Sequence, residues 1–242
     1  MYNIVKSHKE RAGPMNKTDN SLKQSLWGKV FQALITFTVY VLFRPKLIWE
    51  DKSLKKRLKN MPAVFVANHT HHFDGALVGA VFGRYRPYVL VSRSWYDKKG
   101  VGTMIKWCRC MPIDLGGADA QWYIDAERYI TNGGSMIIFP EGGIARGGKI
   151  EKFKPGASLL SASTGAAVIP VAIYGEYDMV FGKRQKIMIG KAIDSSCPED
   201  MRHSRYAKLL AQQSEDEVKR LYGIMEQRYG RLPVYEESYT EQ

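Results

Sequence analysis

Apolar positions along the chain fall into short runs, separated by stretches with helical spacing. Residues 63–68 (AVFVAN), 88–92 (YVLVS), 111–114, 136–140 (MIIFP), 167–174 (AVIPVAIY) and 185–189 are expected as buried strands. Residues 73–82, 119–130, 155–162 and 205–228 are expected as helices. Trp122, Ile124 and Tyr129 mark the apolar side of the second, and Pro155 stands in the first turn of the third. The fourth is long and amphipathic, with Leu209, Leu210, Val218, Leu221 and Met225 as its apolar markers. Strands alternating with helices predict an α/β domain, a central, largely parallel sheet flanked by helices. No internal repeat or low-complexity tract interrupts the pattern.

One apolar stretch stands outside this alternation. Residues 26–43 read LWGKVFQALITFTVYVLF, with Lys29 their only charge. Lys23 precedes them, and Arg44, Lys46, Lys52, Lys55, Lys56, Arg57 and Lys59 follow. Apolar and aromatic residues between basic flanks describe a helix lying on an anionic membrane surface. Eighteen helical residues reach only about 27 Å, just under the roughly 30 Å hydrocarbon core. A short span and a buried helix of the soluble fold are the competing readings. A cleaved signal peptide does not fit, since Arg44, Pro45 and Lys46 stand where small residues should be. The expected organisation is thus a basic N-terminal segment (1–60) carrying an N-terminal helical membrane anchor (about 26–43), then an α/β domain (61–242).

Charge sharpens that division. Residues 1–60 hold 13 Lys/Arg and 4 Asp/Glu, a balance of +9, out of +12 for all 242 residues. The basic charge surrounds the apolar stretch and is not interleaved with aromatics on a separate patch, so no nucleic-acid partner is expected. With 45% hydrophobic and 25% charged residues, the chain is neither disordered nor a multi-span bundle. Three cysteines, Cys108, Cys110 and Cys197, are too few and odd in number for a disulfide scaffold. Reduced thiols suit a protein at the cytoplasmic face of a membrane.

The chemistry concentrates in two blocks. NHTHHFDG (68–75) follows the first expected strand and holds three of the five histidines and an aspartate. If the chain turns into a helix at Phe73, Asp74 can fold back onto His69. A carboxylate on one imidazole nitrogen leaves the other as a base able to take a proton from an attacking hydroxyl. No serine lies in a Gly-x-Ser-x-Gly elbow, so the acceptor's own hydroxyl is the simplest nucleophile. A polar loop with a helix-capping aspartate is an alternative reading of this block. A zinc site is another, but Phe73 and Asp74 break the His-x-His-x-Asp-His order, only His203 remains downstream, and no metal is expected.

The second block, FPEGGIARGGKIEKFKPGA (139–157), pairs Glu141 with a loop rich in glycine and basic residues. Gly142, Gly143, Gly147 and Gly148 let amides approach an anion, and Arg146 and Lys149 add positive charge, with Lys152 and Lys154 beyond. The spacing is not that of a P-loop. A solvated turn would look the same.

NHTHHFD, FPEGG with FKPGA, and VIPVAIYG (168–175) stand in an order and spacing that resembles the glycerolipid acyltransferase family, of the lysophosphatidate (1-acylglycerol-3-phosphate) acyltransferase type. The resemblance covers residues 68–193. It implies transfer of a fatty acyl group from acyl-CoA or acyl carrier protein to a hydroxyl of a lysophospholipid, in phospholipid biosynthesis at a membrane. The thioester is a co-substrate, and no cofactor is implied. His69 matches the family's catalytic base and Asp74 its orienting acid. Glu141, with Gly142, matches the block tied to acceptor binding, and Pro170 the last block. Two positions depart from the pattern: the arginines expected to grip an acceptor phosphate are replaced by Leu115 and Ile144. Each lost contact to a charged group is worth about 1.5–3 kcal/mol. Arg146, Lys149 or Arg93 would have to substitute, and Arg93 or backbone amides would receive the oxyanion. Otherwise the same chemistry would serve a non-phosphate acceptor, an alcohol or an amino-acid lipid. A non-catalytic lipid-binding protein is the remaining alternative.

Overall fold

The computed structural model describes residues 26–116, 121–145, 149–178 and 182–232. Its frame is a seven-stranded sheet. In chain order the strands are β1 (Lys46–Trp49), β2 (Ala63–Ala67), β3 (Pro87–Ser92), β4 (Cys110–Ile113), β5 (Ser135–Ile138), β6 (Ala167–Tyr174) and β7 (Lys186–Ile189). In space they run β1-β7-β6-β2-β5-β3-β4. Every pairing is parallel except the antiparallel β6–β7. The expected largely parallel sheet is therefore present. Its central strand β2 is buried along its whole length, as a strand covered on both faces must be.

Eight α-helices cover the sheet among the described residues: α1 (Leu26–Leu42), α2 (Leu54–Arg57), α3 (Asp74–Phe82), α4 (Arg93–Tyr96), α5 (Val101–Trp107), α6 (Gln121–Thr131), α7 (Gly156–Thr164) and α8 (His203–Tyr229). The strand pleat sorts the core into two layers. Phe65, Ile137 and Ile169 face α1 and α3, with Val39, Leu77 and Phe82. Val64, Met136 and Val168 face α6, α7 and α8, with Tyr123, Leu160 and Leu210.

Several details depart from the expected pattern. Lys46–Trp49 is a strand pairing with β7, so residues assigned to the N-terminal segment form the edge of the main sheet. The proposed boundary at residue 60 therefore does not separate two bodies. α2, α4 and α5 have no counterpart in the expected pattern. The helix expected at 119–130 begins at Gln121, residues 119 and 120 lying outside the described part.

α1 docks on α3. Gly28, Phe31, Gln32, Ile35 and Val39 turn inward at helical spacing, and Gly28 and Val39 are buried. The opposite side is also apolar: Trp27 is 75% exposed and Phe37 68%, with Leu26, Val30, Leu34 and Val41 beside them. No helix among the described residues is long and apolar enough to cross a membrane.

The connections choose where a site can form. β2 leads into α3, on one face of the sheet; β5 leads toward α7, on the other. β2 and β5 are neighbours. Two adjacent parallel strands whose continuations part to opposite faces leave a crevice beyond their carboxyl ends. The His69 and Glu141 loops both open into it.

Candidate active site

His69 leaves the end of β2 two residues past Ala67. Asn68, between them, is fully buried and bridges to β6: its amide nitrogen donates to Ile173 O at 3.1 Å, and its amide oxygen accepts from Ile173 N at 2.8 Å. That clamp fixes the direction in which the chain enters the loop.

The loop then turns into α3, whose first residue is Asp74. Asp74 is fully buried. Its Oδ2 accepts the main-chain N–H of Thr70 at 2.6 Å and of His71 at 2.7 Å, and lies 3.0 Å from His69 Nδ1. A carboxylate acceptor at Nδ1 requires that nitrogen to carry the proton, which leaves Nε2 as the base. The ring stacks on Phe139 with centroids 4.3 Å apart, and the side chain keeps 20% of its surface open. His69 and Asp74 are thus brought together as their spacing implied. Asp74 caps no N–H of α3: its side chain accepts from the loop amides ahead of the helix and holds the imidazole.

The three histidines do not converge. His71 Nδ1 accepts the Phe73 N–H at 3.2 Å, and its ring stacks on Tyr177. Among the described residues no group of three or more His, Cys, Asp or Glu side chains could hold a metal ion. Cys108 and Cys110 are half-buried free thiols. Burial pushes Cys108 up to about 11 and raises Cys110 further, so neither offers a thiolate near neutrality.

Glu141 is buried, at 4% exposure. Oε1 accepts the His69 N–H at 2.8 Å and Oε2 the Glu151 N–H at 2.9 Å. Burial pushes its carboxyl up to about 7, against the opposing pull of the Glu151 and His69 amides. Both oxygens are directed at main chain, so this geometry makes Glu141 a strut between two loops. Ala145 N donates to His69 O at 2.7 Å, adding a second tie. Glu215 on α8 accepts the Phe153 N–H at 2.8 Å and anchors the far end of the same segment.

Gly142 sits at φ +79°, in the left-handed region, and a Cβ there would collide with the Lys154 ammonium group. The glycine therefore does two things: it makes the turn, and it lets a lysine lie across it. Lys154 was visible in the sequence but not singled out. Arg93 opens α4 at the carboxyl end of β3 and is exposed; α4 meets the His69 loop through Trp95, 5.4 Å from His72. Lys149 is exposed, two residues before Glu151. Arg146 lies outside the described residues. Of the replaced positions, Leu115 is 53% exposed and Ile144 half-buried. Pro170 lies buried within β6 opposite Val66, where it shapes the sheet.

The chain has recognisable relatives among known proteins. A family model described as Acyltransferase matches residues 50–174. The chloroplastic 1-acyl-sn-glycerol-3-phosphate acyltransferase LPAT1 of Arabidopsis thaliana is 28% identical over 120 residues, 47% of this chain and 32% of its own. The chloroplastic enzyme BAT2 of Brassica napus, with the same activity in its name, is 27% identical over 120 residues, 47% of this chain and 33% of its own. The match thus spans about a third of the length of these relatives. The crystal structure of PlsC, the 1-acyl-sn-glycerophosphate acyltransferase of Thermotoga maritima, superposes with a TM-score of 0.60 over 96% of this chain and 90% of that one, at 18% identity. That likeness is one of fold.

Proposed function

The chain belongs to the acyltransferase family, and on that premise we propose that it moves a fatty acyl group from an acyl thioester to the hydroxyl of a lysophospholipid, as in phospholipid synthesis. The observation that carries the reading is His69 Nδ1 held 3.0 Å from the buried Asp74 carboxylate. His69 Nε2 takes the proton of the acceptor hydroxyl as its oxygen attacks the thioester carbonyl carbon. Asp74 supports the imidazolium that forms. The tetrahedral oxyanion collapses, the carbon–sulfur bond breaks, and the imidazolium returns its proton to the leaving thiolate. No acyl-enzyme is required. Acyl-CoA and acyl carrier protein are both donors of the right chemistry.

The acceptor is 1-acylglycerol-3-phosphate or a close analogue. The relatives' names support that choice, and Lys154, Lys149 and Arg93 supply cations near the crevice in place of the replaced arginines. Leu115 and Ile144 favour a second reading with the same chemistry, a lipid acceptor without phosphate.

The reading includes a seat on an anionic membrane at its cytoplasmic face. The exposed apolar side of α1 enters the lipid, and no crossing helix is needed. Beside α1 runs a groove of about 830 Å³ whose lining includes Lys29, Arg84, Arg86 and Arg109 and no acidic residue. Lys52, Lys55, Lys56 and Lys59 gather around Arg84 next to it. Cations rimming an apolar ridge match negatively charged headgroups.

The test is purified protein with radiolabelled acyl thioester and a panel of lyso-acceptors. Transfer to phosphate-bearing acceptors, lost in His69→Ala, is expected. Unchanged transfer by His69→Ala ends the assignment, and preference for a phosphate-free acceptor selects the second reading.

A further inference from the structure

The Asp74 carboxylate has two oxygens, and the imidazole and main-chain donors converge on one. Oδ2 meets His69 Nδ1, Thr70 N and His71 N. Oδ1 is met by the hydroxyl of Tyr177, a residue 103 positions further along, between β6 and β7. The Thr70 hydroxyl lies between the two oxygens, 3.5 Å from Oδ1 and 3.4 Å from Oδ2.

We propose that Tyr177 is a positioning residue of the His69–Asp74 pair, whose hydroxyl donates to Asp74 Oδ1, fixes the plane of the carboxylate and tempers the charge it presents to His69. The proposal rests on the acyl-transfer reading above and adds a residue outside its motifs. Three rings hold the phenol in place. His71 stacks on it with centroids 4.6 Å apart and planes at 27°. Phe43 meets it edge-on at 5.0 Å and 86°, and Phe73 lies at 5.9 Å. Burial, and then the charge of Asp74, raises the phenol well above its ordinary range. The hydroxyl therefore keeps its proton and remains a donor throughout the working pH range.

The chemical consequence follows from how a carboxylate shares its charge. Each donor lowers its basicity and its pull on the imidazolium. Without the Tyr177 hydroxyl, Asp74 holds the imidazolium more tightly, and the base stays protonated to a higher pH. The titratable groups gathered here are His69 and His71 on the β2–α3 loop, Asp74 on α3, Tyr177 after β6, and Glu141 after β5. Glu141 acts on His69 through the main-chain N–H.

The test compares kcat and kcat/KM against pH for wild type, His69→Ala, Tyr177→Phe and a variant with 3-fluorotyrosine at 177. Tyr177→Phe keeps the ring and loses only the hydroxyl. Its acid-side midpoint should move to higher pH by about 0.5–1, with kcat down about three- to tenfold and KM for the acceptor within about twofold. The fluorinated phenol, a stronger donor, should move the midpoint the other way. A Tyr177→Phe profile that overlays wild type overturns the proposal, as does a loss of thermal stability and activity with no shift of midpoint. Activity retained by His69→Ala instead overturns the underlying reading, so the two failures are distinguishable.

Discussion

Glu141 and His69 are joined through the main chain: the carboxylate accepts the His69 N–H at 2.8 Å while its other oxygen accepts the Glu151 N–H at 2.9 Å. One buried side chain thereby sets the separation between the loop after β2 and the loop after β5. His69 is thus fixed from behind, through its own backbone, as well as through its ring.

That strut gives the fold a pH dependence. Burial holds the Glu141 carboxyl at about 7, above its ordinary 4.5. Between those values the folded chain retains a proton that the unfolded chain has released. Stability therefore falls as pH rises through this window, by up to about 3 kcal/mol. Thermal unfolding followed from about pH 5 to about pH 8 should show the wild-type midpoint declining more steeply than that of Glu141→Gln. Parallel curves would contradict the assignment.

Asp74→Asn keeps the shape of the side chain but replaces an oxygen acceptor with an NH2 donor. Either the three donors at Oδ2 or the Tyr177 hydroxyl then faces another donor. The imidazole loses its preferred tautomer, and kcat should fall by about 10² or more. The fold should persist by circular dichroism. Steady-state kinetics at saturating thioester provide the measurement, and near-wild-type turnover would refute the role given to this carboxylate.

Lys154 and Gly142 predict a separable pair of effects. Gly142→Ala combines a left-handed φ with a collision against the lysine chain, and should cost about 1–2 kcal/mol in chemical denaturation. Lys154→Met keeps the aliphatic stem and removes the charge. If the ammonium binds the acceptor phosphate, KM for a phosphate-bearing acceptor should rise about tenfold with kcat little changed. For a phosphate-free acceptor KM should not move. Equal effects on both acceptors would assign Lys154 to the fold alone.

The outer side of α1 can be tested without an enzyme assay. Trp27→Glu combined with Phe37→Glu places charge on residues 75% and 68% exposed, so the fold should tolerate it. Co-sedimentation with vesicles containing anionic lipid should drop at least about tenfold. Raising salt should weaken the wild-type interaction through the Lys and Arg rim. Undiminished binding by the double variant would remove α1 from the membrane contact.

Much of this was legible from the sequence. The buried strands announce themselves as unbroken apolar runs, and His69 and Asp74 lie five positions apart, so local turn geometry suffices to bring them together. What escaped depends on distant pairing. Lys46–Trp49 is four residues long and sits among basic flanks; only its register with Lys186–Ile189 makes it a strand. α4 and α5 are short, and Gly100 at φ +81° breaks any helical period between them. Tyr177 carries no motif, and its hydroxyl reaches Asp74 only after β6 has been laid beside β2. Glu141 stands out in the sequence as a residue, but its two backbone partners lie 72 and 10 positions away, so its part as a strut is legible only in the fold.

Phe43, at the end of α1, touches Tyr177 and Phe73. The helix with the exposed apolar side is therefore also masonry for the rings that surround Asp74. Trimming the chain to begin after that ring would not leave the remaining fold as it stands. It would open a hole behind the His69–Asp74 pair, and outer ridge and inner wall would be lost in one cut.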